Sequence, residues 1–527
     1  MNALLPLPVL LPMLAAGVKI VVGPRHPVVQ RGISVLVLSA VVVVGAVLLV
    51  TADRHGPQAT QIGGWPAPVG ITLIVDRLSG AMLTISAAVT LCVMIYAIAQ
   101  DMADREPVTP LSVFHPTFLL LVSGVADSFL AGDLFNLFVG FEIMLTASYV
   151  LITLGGTPAR IRAGMTYIMV ALMSSMLFLV AIAVLYAATG TVNLAQLAER
   201  VRDLPGGVAR IAEVMLLAAF GVKAAVFPLS MWLPDSYPTA PAPVTAVFAG
   251  LLTKIGIYGM LRTETLLFPG HGLRTPLLVF AFASMVVGVF GAMVQVDLNR
   301  LLSFTLVSHV GYMIFGLAMG TRSALGATLF YVLHHITIQT SLFLVAGLIE
   351  RRGGSTSLRR LGGLARSSPL IGALFFIPAM NLGGIPPLSG FLGKLGLVDA
   401  GLVLGGPLVC ALVATALLTS LLTLYSLVKA WNQVFWRAPR DAFPADEPAE
   451  DVPEEDAADW PVGTARLAPG MVGATIALIA LSLAYTVAGG PLVRLTDRAA
   501  DEMSQPARYI EKVRPAENGD TRWIVPG

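Results

Sequence analysis

The sequence predicts an all-α polytopic membrane protein, and three observations support this fold class. Of the 527 residues, 56% are apolar and only 12% are charged, about half the charged fraction of a soluble domain. The mean hydropathy is strongly positive, at +0.81. Apolar stretches of about 20 residues, long enough to cross the hydrocarbon of a bilayer, recur along the chain. This composition excludes a water-soluble enzyme, and a net charge of +2 offers no basic surface to nucleic acid.

Apolar runs separated by turn signals predict about fourteen membrane-spanning helices. Two runs are interrupted, because the seventh ends at Phe227-Pro228 and the twelfth is broken by Pro386-Pro387. A proline inside a spanning helix frees a backbone carbonyl, which is tolerated only within protein or beside water. The two interruptions therefore indicate a hydrated path inside the membrane. The runs lie near residues 3–22, 33–51, 71–98, 112–127, 130–154, 163–188, 211–228, 241–263, 276–296, 301–319, 324–349, 369–404, 407–436 and 468–488.

The distribution of lysine and arginine predicts the orientation of the chain. Basic residues cluster in the loops after the first, fifth and eleventh runs, which lie on one side of the membrane, and we expect that side to be cytoplasmic. Both termini then face outward. The first run lacks a basic leader and a small-residue cleavage site, so we interpret it as a retained helix. The basic residues are Arg25, Arg31, Arg160, Arg162, Arg351, Arg352, Arg359, Arg360 and Arg366.

The two interrupted runs lie five crossings apart, and this spacing predicts internal symmetry. A copy displaced by an odd number of crossings is inserted upside down, so we expect two inverted five-helix repeats with broken helices 7 and 12. An acidic segment before the last run is typical of a solvated loop. The predicted units are N-terminal helices 1–3 (1–111), a first repeat of helices 4–8 (112–264), a second repeat of helices 9–13 (275–437), an acidic cytoplasmic loop (438–467), helix 14 (468–488) and a C-terminal tail (489–527).

Four ionisable side chains stand deep within predicted spanning helices. Each costs about 2.5–3.5 kcal/mol at a helix centre on insertion scales, so each requires a partner or a function. They are Glu142, nine residues after Asp133, Lys223 before the first break, Lys254 in the eighth run and Lys394 after the second break. We expect Glu142 and Lys223 to lie side by side, since either alone would be an uncompensated buried charge. A structural hydrogen bond or an inert ion pair is the alternative explanation for each residue, and Lys394 could also extend its amine toward the break.

Histidines in the eleventh run add a second kind of proton carrier. His334 and His335 lie near the middle of the membrane, and Gln339, four residues after His335, shares its helix face. Histidine exchanges protons near neutral pH, although a buried neutral histidine can also serve as a structural hydrogen-bonding group. His309 in the tenth run has the same two explanations. Together with the buried lysines and glutamate, these residues are typical of proton movement through a dry interior.

The sequence contains no cofactor or metal motif beside these residues. Cys92 and Cys410 lie in separate apolar runs without ligand spacing, and we expect them to be small core residues. Motifs for zinc, haem, iron–sulfur clusters or nucleotides do not occur in the sequence. We therefore expect no cofactor and no bound metal, and a transporter rather than an enzyme.

Four stretches of this sequence resemble the antiporter-like membrane subunits of the NADH:quinone oxidoreductase (complex I) family. The resemblance covers about residues 70–435, and its lysine–proline–WLPD–lysine block is highly specific. The first stretch makes the chain most similar to the D-type subunits of Mrp-type multisubunit sodium/proton antiporters. The stretches are GDLFNLFVGFE, FGVKAAVFPLSMWLPDSYPTAPAPVTAVFAGLLTKIGIYGMLR, SHVGYMIFG and NLGGIPPLSGFLGKLG.

The resemblance implies fourteen helices, two inverted five-helix repeats and a role for each of five residues. By this resemblance Glu142 is the helix 5 glutamate, Lys223 the helix 7 lysine and Lys254 the helix 8 lysine. His335 is then the helix 11 histidine, and Lys394 the helix 12 lysine. The sequence departs from the family pattern at Gln339 and Asn299, where many relatives carry lysine.

These observations lead to one main hypothesis and three alternatives. We expect a proton-translocating subunit of a multisubunit monovalent cation/proton antiporter in the bacterial cell membrane, with other membrane subunits as partners and H⁺ and Na⁺ as the transported ions. A proton-pumping subunit of complex I or of a membrane-bound hydrogenase would use the same residues. An inert membrane scaffold and a lone substrate carrier are further alternatives, and no polar cluster in the sequence suggests an organic solute.

Overall fold

A computed structural model shows an almost entirely helical chain, in agreement with the predicted all-α membrane fold. Among the residues described, ten helices are long and apolar enough to cross a membrane, as judged by length and composition. Three shorter apolar helices accompany them, and the count of fourteen crossings stays a prediction. The structure describes residues 3–23, 25–103, 110, 112–270, 272–438 and 467–513. The predicted acidic loop lies almost wholly outside these residues.

The N-terminal part contains three helices and a small antiparallel hairpin. The predicted span at 71–98 is corrected, because its first residues form a strand and the helix begins at Arg77. The strand is rich in β-branched residues, and the Asp76 carboxylate after it accepts a hydrogen bond from the Ser79 amide at 2.8 Å. The elements are α1 (Leu7–Val22), α2 (Pro27–His55), β1 (Gln58–Gln61), β2 (Thr72–Val75) and α3 (Arg77–Ala103).

The rest of the described chain is a succession of helices. Two of them contain π-helical turns: the segment Ala242–Leu267, and α18, which continues into a π turn at Asn432–Trp436. One π turn joins α10 to α11, and a second extends them, so that Ala242–Leu267 is one continuous helical segment. The helices are α4 (Phe114–Leu130), α5 (Leu134–Ile152), α6 (Pro158–Thr189), α7 (Leu194–Arg200), α8 (Gly206–Ala224), α9 (Leu233–Ser236), α10 (Ala242–Val247), α11 (Thr253–Arg262), α12 (Arg274–Val294), α13 (Leu298–Met319), α14 (Arg322–Gly353), α15 (Leu364–Ser367), α16 (Pro369–Gly383), α17 (Ser389–Leu404), α18 (Pro407–Trp431), α19 (Pro469–Val487), α20 (Gly489–Ser504) and α21 (Ala507–Val513).

Burial separates the central helices from the peripheral ones. The most apolar windows of Ala242–Leu267 and α14 are 100% buried, and that of α13 is 94% buried. The corresponding windows of α2 and α18 are only 28% and 33% buried, so these helices present apolar side chains outward. The ionisable residues predicted on Ala242–Leu267 and α14 therefore lie in the interior of the protein.

A constant offset of 164 residues relates two parts of the chain. Asp133 caps α5 and Asp297 caps α13, and α6 and α14 have equal lengths and the same offset. The amide of Leu134 donates to Val192 O at 2.9 Å, and the amide of Leu298, 164 positions later, donates to Thr356 O at 3.0 Å. The residues that follow α6 are therefore hydrogen-bonded to the start of α5, and the residues that follow α14 are bonded in the same way to the start of α13.

Close helix packing follows the same offset. Gly124 on α4 lies against the backbone of Met144, where an added Cβ would lie 2.6 Å from the Met144 nitrogen. Gly288 on α12 lies against Ser308, where the Cβ would lie 2.3 Å from the Ser308 nitrogen. Only a residue without a side chain lets these helix backbones approach so closely. This correspondence supports the division into two five-helix repeats, which we retain as a proposal.

Both predicted breaks occur as real interruptions of helices. The first follows α8, which ends at Ala225 in the left-handed conformation with φ 58°. The second lies between α16 and α17, where Gly384 has φ 84° and Pro386-Pro387 follows. A left-handed residue ends a helix, and prolines prevent it from continuing. Each break leaves the last carbonyls of its helix to find other hydrogen-bond donors.

Part of the predicted C-terminal tail forms two helices, which we call the C-terminal cap (α20 and α21). Arg262, near the end of the Ala242–Leu267 segment, pairs with the Asp76 carboxylate at 2.6 Å, and both side chains are buried. The Arg262 guanidinium also lies 5.2 Å from the centre of the Tyr509 ring in α21. Glu502 of α20 accepts from the Arg77 amide at 3.2 Å. The cap therefore joins the beginning of α3 to the end of the Ala242–Leu267 segment.

Breaking the Arg262–Asp76 pair should destabilise the fold strongly. Asp76→Asn leaves the Arg262 charge buried without its partner, and loss of one member of a buried pair typically costs about 3–5 kcal/mol. The Arg300–Asp235 pair, at 3.0 Å with side chains 46% and 64% exposed, provides the control, because exposed pairs contribute about 0–1 kcal/mol. Thermal unfolding of the purified complex would contradict this role if Asp76→Asn and Asp235→Asn lowered the midpoint equally.

The C-terminal cap should also make stability depend on pH. Burial, together with the Asp76 carboxylate, raises the pKa of Glu502 to about 7 despite its bonds to Arg77. Between about pH 4.5 and pH 7 this carboxyl is ionised in the unfolded chain but protonated in the folded protein, so stability falls as the pH rises through that window. Raising the pH from 5.5 to 8 should lower the midpoint temperature of unfolding in both proteins. We expect the decrease to be smaller in Glu502→Gln than in the unmodified protein. Equal falls in the two proteins would show that Glu502 carries no part of this dependence.

Candidate functional site

All five predicted site residues lie on helices in the interior or at a helix break. Lys254 and His335 are completely buried, and Lys223 and Lys394 are 8% and 7% exposed. Glu142 is half-buried on α5. Among the described residues, no group of three or more histidine, cysteine, aspartate or glutamate side chains could hold a metal ion.

Lys223 lies at the end of α8, immediately before the first break. Its ammonium group donates to Ala171 O at 3.1 Å and to Ser175 Oγ at 3.2 Å, both on α6. A cavity of about 20 Å³ borders Lys223 and is closed by Tyr167, Tyr237 and other side chains. This volume is large enough for about one water molecule. The break thus places a buried amine beside a small space that can hold water.

Glu142 does not form the direct ion pair with Lys223 that the sequence led us to expect. No contact within 4 Å joins the two among the described ion pairs, although an electrostatic attraction links them. The Glu142 Oε1 atom is buried and has no hydrogen-bond partner in the structure. The ammonium group of Lys223 instead donates its hydrogen bonds to acceptors on α6. The interaction between Glu142 and Lys223 is therefore electrostatic, without a hydrogen bond between them.

Lys254 follows directly on the π-helical turn of the Ala242–Leu267 segment. Its ammonium group donates to Ala249 O at 2.6 Å, a carbonyl within that turn. π-Helical turns alter the regular pattern of backbone hydrogen bonds and are frequent at functional sites. A Cβ added to Gly250 would lie 2.1 Å from Thr340 Oγ1, so α14 packs directly against the turn. The same turn therefore holds Lys254 and brings it toward the helix of His335.

His335 belongs to a cluster of three histidines and two tyrosines, which we call the histidine cluster (His309, His334, His335, Tyr312 and Tyr331). Neither ring nitrogen of His335 has a hydrogen-bond partner in the structure, although the residue is fully buried. The rings of His309 and His335 lie 5.2 Å apart, and His309 Nδ1 is hydrogen-bonded to the Tyr331 hydroxyl. The cluster therefore presents unpaired imidazole nitrogens in the middle of the protein.

Lys394 sits beside the second break on α17. Its ammonium group donates to Leu382 O at 2.9 Å and to Ser420 Oγ at 2.9 Å, with Gly383 O at 3.4 Å. The two carbonyls belong to the last turn of α16 and are available because that helix ends there. The amine also lies 5.2 Å from the centre of the Tyr312 ring. The break thus supplies the acceptors of the lysine that follows it.

Electrostatic interactions connect three of the predicted residues through the histidine cluster. His335 interacts with both Lys254 and Lys394, and also with His309 and His334. The side chain of Gln339 points elsewhere, since its Nε2 donates to Leu302 O on α13 at 2.8 Å. The structure thus places both Lys254 and Lys394 within electrostatic range of His335, and it places Glu142 within electrostatic range of Lys223 without direct contact.

Three members of the histidine cluster, His309, Tyr312 and Tyr331, were not among the predicted site residues. Tyr331 precedes His335 by four residues, so the i, i+4 rule that singled out Gln339 would have placed it on the same helix face. Tyr312 comes three residues after His309 on α13, a spacing that places the two on one side of that helix. Their contacts with α14 depend on how the helices pack, and no spacing in the sequence indicates that packing.

The family described as NADH:quinone oxidoreductase/Mrp antiporter, TM, matches residues 131–422 of this chain. The D subunit of the Na(+)/H(+) antiporter of Alkalihalophilus pseudofirmus is 37% identical over 517 residues, which cover 97% of this chain and 99% of that protein. The chain belongs to this family. The sequence-based assignment to the D-type branch of its Mrp members is confirmed, and so is the all-α polytopic membrane fold.

Solved structures of related membrane complexes share the fold. A chain of the Mrp complex from Dietzia sp. superposes with a TM-score of 0.86 and 32% identity, covering 97% of this chain and 100% of that one. A chain of respiratory complex I from Thermus thermophilus gives a TM-score of 0.78 at 23% identity, over 95% and 99% of the two chains, and shows likeness of fold alone. The family match includes all five site residues and both helix breaks.

Proposed function

We propose that this chain moves protons across the bacterial cell membrane as one subunit of a multisubunit Na⁺/H⁺ antiporter. The observation that carries this proposal is the bonding of the three buried lysines among the predicted site residues. Lys223, Lys254 and Lys394 donate to backbone carbonyls or hydroxyl groups, and none has a carboxylate within ion-pair distance among the described residues. An amine held this way is less tightly committed to its proton than one in a buried ion pair.

The proposed path begins at the first break and ends at the second. A proton on Lys223 passes by way of water to Lys254, then to an unpaired nitrogen of His335, and from the histidine cluster to Lys394. Each step moves one proton from an ammonium or imidazolium to the lone pair of the next group, so no other reactant is required. The neutral phenol groups of Tyr312 and Tyr331 can hold water or relay hydrogen bonds between these groups.

Glu142 is assigned the role of a switch on Lys223. While the glutamate is ionised, its negative charge attracts the ammonium group of Lys223. When Glu142 takes up a proton the attraction disappears, and Lys223 can pass its own proton onward. The absence of direct contact between the two side chains suits this role, because either can change its charge without breaking a hydrogen bond to the other.

The second candidate is a proton-pumping subunit of complex I or of a membrane-bound hydrogenase. It would use the same relay, and the shared fold with the Thermus thermophilus chain is compatible with it. The 37% identity to an antiporter subunit over nearly the whole chain favours the antiporter. Purification in mild detergent and identification of the accompanying chains separates the two, because iron–sulfur and quinone-site subunits accompany only the second. We also propose the predicted outward orientation of both termini, the two-repeat division and Na⁺ as the exchanged cation.

Removing either member of the switch should abolish antiport. Glu142→Gln removes the attraction on Lys223, and Lys223→Ala removes the first proton carrier, so each should reduce ΔpH-driven Na⁺/H⁺ exchange in everted vesicles to background. Glu199→Gln, an exposed glutamate on α7, is the matched control and should retain exchange. Immunodetection of each variant in the membrane, with its partner subunits, ensures that equal amounts are compared. Normal exchange by both switch variants would favour an inert scaffold.

His335 should be more important for transport than Gln339. His335→Ala removes the unpaired imidazole between Lys254 and Lys394, and we expect a large loss of exchange across pH 7–9. Gln339→Ala removes only a hydrogen bond to Leu302 O and should reduce exchange mildly, while Gln339→Lys should be tolerated. Exchange at the unmodified rate by His335→Ala, at normal expression, would mean that the proton crosses α14 through water alone.

A further inference from the structure

A cationic cavity lies at the surface where α2 ends, on the same side of the protein as the C-terminal cap. It has a volume of about 520 Å³ and is bounded by the end of α2, the beginning of α3 and the helix α21. Five basic side chains line it against one acidic side chain, Glu511. The basic residues are Arg54, His55, Arg77, Arg508 and Lys512.

Three of these basic groups have no ion-pair partner among the described residues. Arg77 is engaged by Asp53 at 2.8 Å and by Glu502 at 3.3 Å. Arg54, Arg508 and Lys512 form no ion pair and no side-chain hydrogen bond within the described part of the chain, and all three are exposed. An open cavity with several uncompensated cations attracts an anion.

An apolar stripe on α2 leads directly to this cavity. Val43, Val47 and Val50 are 61%, 41% and 49% exposed. They follow one another at spacings of four and three residues, and Arg54 comes four residues after Val50, so all four share one helix face. The hydrocarbon-facing stripe therefore ends at a cation located where the helix leaves the membrane.

The geometry points to a binding site for an anionic phospholipid. Its phosphate lies in the cavity among Arg54, Arg508 and Lys512, and an acyl chain lies along Val43, Val47 and Val50. Guanidinium groups bind phosphate oxygens in a bidentate manner, and basic residues near the membrane surface attract acidic headgroups. A free phosphate would use the same cations, but it would make no use of the valine stripe.

The test compares lipid and phosphate binding by the assembled complex. The complex is purified, depleted of lipid, and supplied with phosphatidylglycerol, phosphatidylcholine or inorganic phosphate, while its unfolding midpoint is followed. We expect phosphatidylglycerol to raise the midpoint more than phosphatidylcholine, and inorganic phosphate to have a small effect. A rise with inorganic phosphate equal to that with phosphatidylglycerol would identify a soluble-anion site and overturn the lipid assignment.

Two triple variants with the same change in charge test whether phosphatidylglycerol binds at this cavity. In Arg54→Gln/Arg508→Gln/Lys512→Gln the apparent affinity for phosphatidylglycerol should fall by about a hundredfold, since each cation near an anionic headgroup contributes about fivefold. The control is a triple variant with the same change in charge at the opposite end of the membrane helices. It carries Arg359→Gln, Arg360→Gln and Arg366→Gln and should retain the affinity.

Two further measurements keep the proposal open to refutation. Val47→Ser/Val50→Ser should weaken the response to phosphatidylglycerol and leave the response to inorganic phosphate unchanged. If the triple cavity variant does not assemble, Lys512→Gln alone, at the exposed end of α21, should still lower the affinity measurably. Equal phosphatidylglycerol binding by the cavity variants and the control would overturn the site, including the case in which another protein of the complex covers it. Antiport activity is not the readout, so this result is independent of the proposed relay.

Discussion

A helix that ends inside a membrane must find donors for its last carbonyl groups, and much of this structure depends on that requirement. At the second break the carbonyls of Leu382 and Gly383 receive Lys394, and in the π turn the carbonyl of Ala249 receives Lys254. Each lysine would be costly in an apolar interior, and so would each open carbonyl. The two costs offset one another at the same place. At each of these two places the irregular backbone and the buried lysine therefore stabilise each other, and a change in one affects the other.

The sequence predicted those features that arise from local chemistry. Prolines located the helix breaks, and charged residues in apolar runs located the candidate site residues, because both are unfavourable in an ordinary spanning helix. Contacts between helices were less predictable. The expected Glu142–Lys223 ion pair is absent because Lys223 finds acceptors on α6, and no spacing in the sequence shows which neighbour is nearer. The histidine cluster was only partly foreseen, since Tyr312 and His309 reach it from a different helix.

The constant offset of 164 residues shows which parts of the fold are shared between the two halves and which are particular to each. The caps, the turns and the glycine contacts repeat in register. The proposed carriers do not, because Glu142 corresponds to Leu306. The three histidines correspond to Leu145, Val170 and Ala171, and within the histidine cluster only Tyr331 has a like residue at that offset, Tyr167. A repeated scaffold thus supports two chemically different halves, one with a glutamate and one with imidazoles. In the proposed relay, the two halves would therefore carry the proton on different chemical groups.

The C-terminal cap has a consequence for the order in which the protein reaches its final structure. Arg262 and Asp76 are far apart in the sequence, and the Tyr509 ring that covers Arg262 lies much later in the chain than either. Chains are made from the N-terminus, so the helices that carry the lysines are already inserted before this cover exists. The end of the Lys254 helix is therefore closed off only after α21 has been made. A chain that stops before that point lacks the aromatic ring that lies against Arg262.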